Sequence, residues 1–593
     1  MKTLKDLVIN RKEFKPWSEN ITWATDGTLY LNTYPTITVG QPIFVKDIKG
    51  HSKHLFYLEE LKVDSEIPNK LEFDIAEENT LLNSQPISYT RSCKPSPNCH
   101  DVFAVLTTNG NVLVCDKGKW GCYLDTPDTT HGLASRIYHS MEWSPDGHYL
   151  LAGNELGQLV VFKENTQADG IVSFEYNCII SLLPLIDQNL WVTNIKWTED
   201  DTIIAILDDN SMFAITWDYS NIQKNTVMQL MASSRFKIVD FQKIKDYVVV
   251  TSSGYFHKIN LIKNETSSLE IGPNDGYKII PLGKTSDEVI LLSNKTSCKL
   301  NLNEELNLLV DDVISPLLEK SVKKWNAVWN EYNKYETTLF IYGVAVSPDG
   351  YSLAILYDIE KISMKYRITS QLQYNIMFIP LNTSWELSNQ ATGFAKYQTY
   401  NIYDKMLPTN GELNLAKINE YRPNFDTNID FKSYLQLILK DKVINNLLFL
   451  NFIGETTSIY LIRKLIYQYG LGHQNELVNE IDKAAFQSLS CVLEEASSIN
   501  VDQVTIKGDY IEETFGFKDS TNTIISNDGN TWNRCAATLL PLLTTKVKIC
   551  LVTKTRVIDI TRDTQNEYGW FTKTLLEVFG DTSIYCGSKM KSS

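Results

Sequence analysis

One pattern returns seven times between Trp23 and about Asp358, and it constrains the fold more than anything else in the chain. A short apolar run ends in a polar turn built on Asp or Asn, often with Gly, and a second apolar run follows. The segments read ITWATDGTLYLNT, VFAVLTTNGNVLVCD, YHSMEWSPDGHYLLAGNELGQLVVF, VTNIKWTEDDTIIAILDDNSMFAITW, IVDFQKIKDYVVVTSSGYFHKINL, YKIIPLGKTSDEVILLSNKTSCKLNL and IYGVAVSPDGYSLAILYD. Runs rich in β-branched and aromatic residues are strands, and the Asp-Gly and Asn-Gly pairs supply the positive φ of a tight hairpin. Two hairpins in succession make a four-stranded antiparallel sheet. A spacing of roughly 40 to 60 residues fits one propeller blade per repeat, with loops inserted. A blade cannot bury both faces alone, so neighbours must stack radially. The expectation is a mainly β chain with a seven-bladed, WD40-like β-propeller over residues 1–395, in preference to a β-sandwich array or paired barrels.

The blades are degenerate. None carries the Gly-His and Trp-Asp pair of a strong WD40 repeat; the nearest turns are Trp143-Ser144-Pro145-Asp146-Gly147 and Val346-Ser347-Pro348-Asp349-Gly350. One interruption, Ser315 to Glu336, has Val322, Trp325, Val328, Trp329 and Tyr332 at helical spacing with Lys and Glu between them. It reads as an inserted helix, either packed on the propeller flank or offered to a partner. After about Ala395 the period changes. Phe431–Phe449, Ser458–Tyr469 and Glu476–Ala496 read as helices, TLLPLLTTKVKICLVTKTRVIDI as strand-rich, and Tyr568–Phe579 as a last helix. A smaller α/β domain over 396–593 follows, its boundary between Gly393 and Glu420.

Catalytic signatures are missing: no GxxxxGK[ST], GxGxxG before a helix, GxSxG, HExxH or kinase set occurs. Of eight histidines only His473 falls in the C-terminal domain, in a Gly-rich turn, where a solvated or satisfied side chain is expected. No clustered carboxylates or histidines mark a site in a propeller channel. The formal net charge of -15 opposes a whole surface devoted to nucleic acid, though not a local basic patch. No apolar run approaches the roughly 20 residues of a membrane span, and the N-terminus lacks a secretory apolar core. The ten scattered cysteines are then reduced thiols of the cytosol or nucleus. Structural zinc usually takes CxxC-type pairs. Three places after Cys550 stands Thr553, so with Cys535 and Cys586 the expectation is buried thiols and no metal. No cofactor is expected.

An ordered set of segments nevertheless carries a resemblance: TWATDGTLYLNTYP, Gly40-Gln41-Pro42, Leu82-Asn83-Ser84-Gln85-Pro86, Cys93-Lys94-Pro95-Ser96-Pro97, KKWNAVWNEYNKYETTL, SPDGYSLAILYD, NIMFIPL, KYQTYNIY, WNRCAATLLPLLTTKVKIC, RVIDITRD, YGWFTKTLLE and IYCG. Over nearly its whole length the chain resembles the propeller-bearing subunits of yeast transcription factor IIIC (tau), specifically the smaller one of the B-box-binding tau-B module. The resemblance implies a nuclear, non-enzymatic scaffold. Its partners would be a second propeller subunit and the large B-box-binding subunit. It would help link promoter recognition to the TATA-binding protein and RNA polymerase III, meet promoter DNA only within the complex, and touch no membrane. Relatives outside yeasts carry a zinc-binding C-terminal module, from which this chain departs at Thr553. Trp325, Trp329, Tyr332, Trp570 and Phe571 are the candidate interaction residues; for the last two, core packing is the competing reading. A generic WD40-type adaptor of another intracellular complex is the alternative, and an enzyme with a channel site or an acetyl transferase a third.

Overall fold

A computed structural model describes residues 6–10, 19–42, 56–62, 90–381, 421–448 and 459–592, apart from short stretches within these ranges. Contacts divide the chain into two compact units, one of Met1–Pro42 with His54–Thr383 and the other of Ile43–Lys53 with Ser384–Ser593. The expected boundary at 393–420 lies outside the described residues.

The first unit is a seven-bladed propeller, each blade a four-stranded antiparallel sheet. Blades 1 to 6 are each contiguous in sequence and begin on inner strands Ile21–Trp23, Thr90–Pro95, Tyr138–Trp143, Val192–Trp197, Ile238–Ile244 and Lys278–Pro281. Blade 7 is composite. Thr337–Val346, Ser352–Lys361 and Gln373–Pro380 receive as outer strand Asp6–Asn10, with Asp6 opposite Met377 and Asn10 opposite Gln373. The chain start thus closes the ring, a strand the repeat pattern does not show.

The middle strands are buried on both faces, as in Val102–Thr107 and Val112–Asp116, because each sheet is sandwiched between two others. The outermost strands turn polar: Glu265–Glu270 is almost wholly exposed, which protects an edge against unwanted pairing. Apolar clusters fill the clefts between sheets, for example Leu151, Val161, Ile195, Trp197, Ala205 and Phe213 between blades 3 and 4. The expected Ser-Pro-Asp-Gly turn forms in blade 3. Ser144 N–H donates to Tyr149 O, Gly147 N–H to Ser144 O at 2.9 Å, and Gly147 sits at φ 73°, where a side chain would be strained.

At least one hydrogen bond spans every junction of the ring. In blade order they are Thr22 Oγ1 to Cys93 O (3.2 Å), Trp143 Nε1 to Lys94 O (2.9 Å), Ser140 Oγ to Val192 O (2.7 Å) and Ile238 N to Asn210 Oδ1 (3.2 Å). Thr251 Oγ1 to Tyr277 O (2.6 Å), Ile341 N to Asn294 Oδ1 (2.8 Å) and Asn20 Nδ2 to Tyr342 O (2.7 Å) complete the circle. Helix α1, Ile314–Trp329, is inserted between blades 6 and 7. Its Ile314 and Leu318 are buried in the cluster shared by those blades, with Leu317, Val322 and Trp325 half-buried against it.

The second unit gathers helices α2 (Phe431–Lys440), α3 (Tyr460–Gly472), α4 (Glu480–Leu493) and α5 (Trp570–Asp581) around one continuous core. Helix α2 stops earlier than the expected Phe449. The Asp441 carboxylate accepts from Val443 and Ile444 N–H, which opens a new turn instead of continuing the helix. Small sheets follow: hairpins Val504–Lys507/Glu512–Phe515 and Thr523–Ile525/Thr531–Asn533, then a three-stranded sheet with Val547–Cys550 between Arg556–Ile558 and Met590–Ser592. The stretch Thr538–Leu543, expected to be strand-rich, is a buried irregular segment touched by one isolated bridge, Arg534 with Pro541. Pro541 has no N–H to donate and Leu539 is at φ 63°, so a regular ladder cannot form there. No helix among the described residues is long and apolar enough to cross a membrane.

Candidate functional site

The inner strands converge on a cavity of about 550 Å³ lined from all seven blades. Each of six blades contributes a single charged side chain to its lining, and in blade order the signs alternate: Glu19, Lys94, Glu142, Lys196, Asp240, Lys278. Blade 7 lines it with Val344, Ala345 and Val346. Lys94 bridges its two neighbours, 3.3 Å from Glu19 and 2.9 Å from Glu142, and Lys196 lies 3.2 Å from Asp240. Lys196 also donates to Phe241 O.

Position sets the proton affinities. Burial would raise the Glu19 carboxyl, but Lys94, Lys196 and Lys278 outweigh it and hold it below the ordinary value. Burial likewise opposes ionisation of Asp240, which Lys196, Lys278 and the Ile279 N–H reverse. Glu142 is different: burial lifts its carboxyl, the Glu19 charge adds to this, and Lys94 with the Trp143 N–H does not bring it back. Lys94 itself loses from burial and gains more from its two carboxylates, so it stays firmly charged. The ring is largely spent on itself. It ties adjacent blades together.

Sequence reading found no charge cluster here because each blade supplies one ion only. A signal existed in the register: Glu142 and Lys196 each immediately precede the Trp that starts the hairpin turn, and Lys94 precedes Pro95 at the same place.

The expected interaction residues are scattered. Trp325 is half-buried on the packed side of α1, whose Asn326 Nδ2 donates to Thr337 Oγ1 at 3.0 Å; Val328, 62% exposed, faces outward. Trp329 ends the helix, and its side chain, like all of Tyr332, lies outside the described residues. In the second unit Phe571 has no exposed surface. It stacks on Phe431 at 5.2 Å, and Phe431 stacks on Tyr469 at 4.7 Å. That corrects the expectation of a surface anchor at Phe571: a ring enclosed by three helices supports α5 from within. Trp570 is half-buried at the margin of this stack and donates from Nε1 to Glu476 O at 3.0 Å. His473 stacks on Tyr469 at 4.4 Å.

Helix α5 has no capping side chain of its own. Its N-terminus is held by the wholly buried Asp482 of α4, whose carboxylate accepts from Phe571 N (3.1 Å), Thr572 N (2.9 Å) and Thr572 Oγ1. A negative group at the positive end of a helix is favourable twice over, by hydrogen bonding and by the helix dipole. Gly569 makes room for it: a Cβ there would stand 2.1 Å from Asp482 Oδ2. Sequence reading missed this contact because it joins residues far apart in the chain.

The Cys550 and Cys586 thiols, both fully buried, lie 3.6 Å apart. They amount to half of the four ligands a structural zinc takes. Among the described residues no third His, Cys, Asp or Glu joins them.

Three comparisons with known proteins bear on these features. The chain is 44% identical over 599 residues to the "Transcription factor tau 60 kDa subunit" of Saccharomyces cerevisiae, covering 100% of both chains. Residues 495–590 match the family described as "Putative zinc-finger of transcription factor IIIC complex". Among solved structures, a chain of the "Crystal Structure of Mitotic Checkpoint Complex" aligns at 11% identity with a TM-score of 0.39, over 64% of this chain and 92% of that one.

Proposed function

This chain belongs to the family of the transcription factor tau 60 kDa subunit, and from that premise we propose that it is a non-catalytic scaffold subunit of transcription factor IIIC. The observation that carries the proposal is the identity itself, 44% sustained from end to end. The geometry agrees with it. A propeller presents two faces and a rim of loops on a rigid ring, a form suited to holding several partners at once. In its channel Glu19, Lys94 and Glu142 are ion-paired with one another, as are Lys196 and Asp240.

In this reading the chain is the smaller propeller subunit of the B-box-binding tau-B half, working in the nucleus. It joins a second propeller subunit and the large subunit that reads the B box, and helps connect promoter recognition with the TATA-binding protein and RNA polymerase III. With a net charge of -15 it meets promoter DNA only within that assembly. Partner contacts are assigned to α1, with Trp325, Trp329 and the following Tyr332, and to the margin of the second unit at Trp570. Phe571 contributes there only by fixing α5.

The test is purification of the tagged chain from nuclear extract at moderate salt, with mass spectrometry of what accompanies it and binding of the eluate to a B-box duplex. Recovery of a second propeller protein and a large DNA-binding subunit is expected, with duplex binding that the isolated chain lacks. An eluate without either partner that ignores the B box overturns the proposal.

A further inference from the structure

We infer that residues 495–590 keep the frame of a four-thiolate zinc site with only two of its ligands, and that this unit folds and holds its shape with no metal bound. The inference stands apart from the transcriptional role, and the fate of one does not decide the other.

A paired zinc site needs two CxxC-type segments. This chain has Cys550-Leu551-Val552-Thr553 and Ser583-Ile584-Tyr585-Cys586, each with one cysteine and a hydroxyl residue at the other end; Gly587 follows at φ 64° and its N–H donates to Ser583 O at 2.8 Å. The two remaining sulfurs are 3.6 Å apart. Thiolates sharing one tetrahedral zinc, with bonds of about 2.3 Å, stand about 3.8 Å apart. The pair therefore sits at ligand spacing.

The turn beyond Cys550 is built as a metal knuckle would be. Cys550 N–H donates to Thr555 O and Lys554 N–H to Cys550 O, both at 2.9 Å, with Lys554 in the left-handed region at φ 59°. The Thr553 N–H donates to Cys550 Sγ at 3.3 Å. That donor would steady a thiolate, and here it steadies a thiol. At the place of the second sulfur, the Thr553 hydroxyl is engaged with Thr555 Oγ1 at 2.7 Å. A neutral hydroxyl is no substitute for a thiolate on zinc, which binds deprotonated Cys, His or carboxylate.

What an ion would do by ligation, β-pairing and packing do instead. The strand Met590–Ser592 pairs with Val547–Cys550, setting Met590 opposite Cys550 and so tethering the chain just past Cys586. Val557, Phe579, Ile584 and Met590 belong to the same buried cluster as both thiols. Apolar surroundings favour the neutral thiol over the thiolate a metal requires.

The experiment uses the full chain, purified under reducing conditions, with zinc measured by mass spectrometry and thermal melting followed with and without EDTA. Zinc well below one equivalent per chain and an unchanged melting temperature are expected. The double variant Thr553→Cys/Ser583→Cys completes both segments; it should take up one Co²⁺ with thiolate-to-cobalt absorption and melt higher with zinc than with EDTA. If that variant does not fold, Thr553→Cys alone should bind Co²⁺ through three thiolates. About one zinc per unaltered chain, removed by EDTA with a fall in melting temperature, overturns the inference. So does a folded double variant that leaves Co²⁺ in solution.

Discussion

The propeller and the C-terminal unit solve the same problem of burial in opposite ways. In the propeller each cluster lies between adjacent sheets, and hydrogen bonds cross each junction between neighbouring blades. The charges of the channel follow the same local rule, since Lys94 binds the carboxylates of the blades on either side. The C-terminal unit has one core, and its joints connect remote segments. Asp482 holds the start of α5, and Phe431 of α2 stacks on Phe571. Redundant near-neighbour contacts let a ring absorb a local loss; a unit with single long-range joints should fail as a whole.

That contrast can be broken by experiment. The largest effect is expected from Gly569→Ala, whose Cβ would meet the Asp482 carboxylate and Asn479 Cβ. It should destabilise the C-terminal unit by at least about 4 kcal/mol. Hydrogen exchange should then show protection lost across 421–592 and kept in the blades; loss in both would end the comparison. Next comes Lys94→Met, which leaves the half-buried Glu142 and the exposed Glu19 without their shared cation and should cost about 2 kcal/mol at neutral pH in denaturant unfolding. Because Glu142 already holds its proton more tightly than an ordinary Glu, the deficit should shrink as the solution is acidified and that carboxyl is neutralised. A deficit that grows towards low pH would contradict the ring as drawn.

Asp482→Asn keeps the shape but weakens the cap on α5, and a loss of about 2 kcal/mol is expected from the charge-assisted bonds. Equal melting of variant and parent would mean that α5 needs no help from α4. The smallest effect belongs to a surface turn. Asp509 accepts from Thr545 N and Oγ1 and from Thr544 Oγ1 and pairs with Lys546, which brings its carboxyl down to about 2. Its contribution is complete above the unfolded carboxyl value near about 4 and is lost as pH falls through the folded value. Asp509→Asn should therefore cost about 1 kcal/mol at pH 7, and variant and parent should converge as pH falls towards about 2. A pH-independent gap would assign the effect to the turn backbone.

The same contrast explains what was legible in the sequence. Blade hairpins are encoded within a few residues by alternating apolar runs and turn glycines, so blade 3 with Gly147 could be read directly. The outer strand Asp6–Asn10 could not, because its partner lies at the other end of the ring. In the C-terminal unit helical periodicity marked α3, α4 and α5 to within a few residues. Helix α2 ran long on paper because Asp441 stops it with a side-chain turn that periodicity does not register. Trp570 and Phe571 looked alike in sequence, yet the helix turns one to the margin and the other into the core. Gly569 and Asp482 carry no local signal, since their meaning exists only where two helices meet.

The composite seventh blade also sets a timetable. Asn10 leaves the ribosome first and must wait roughly 360 residues for Gln373, its partner. At about 5–20 residues per second that is a delay of about 20–70 s, in which six blades can fold while their ring stays open. During that interval the edge of Gln373–Pro380 and the strand meant to cover it are both free to pair elsewhere. Manufacture of this chain should thus be most vulnerable at ring closure, and an alteration at residues 6–10 should lower the yield of closed molecules far more than it alters any finished blade.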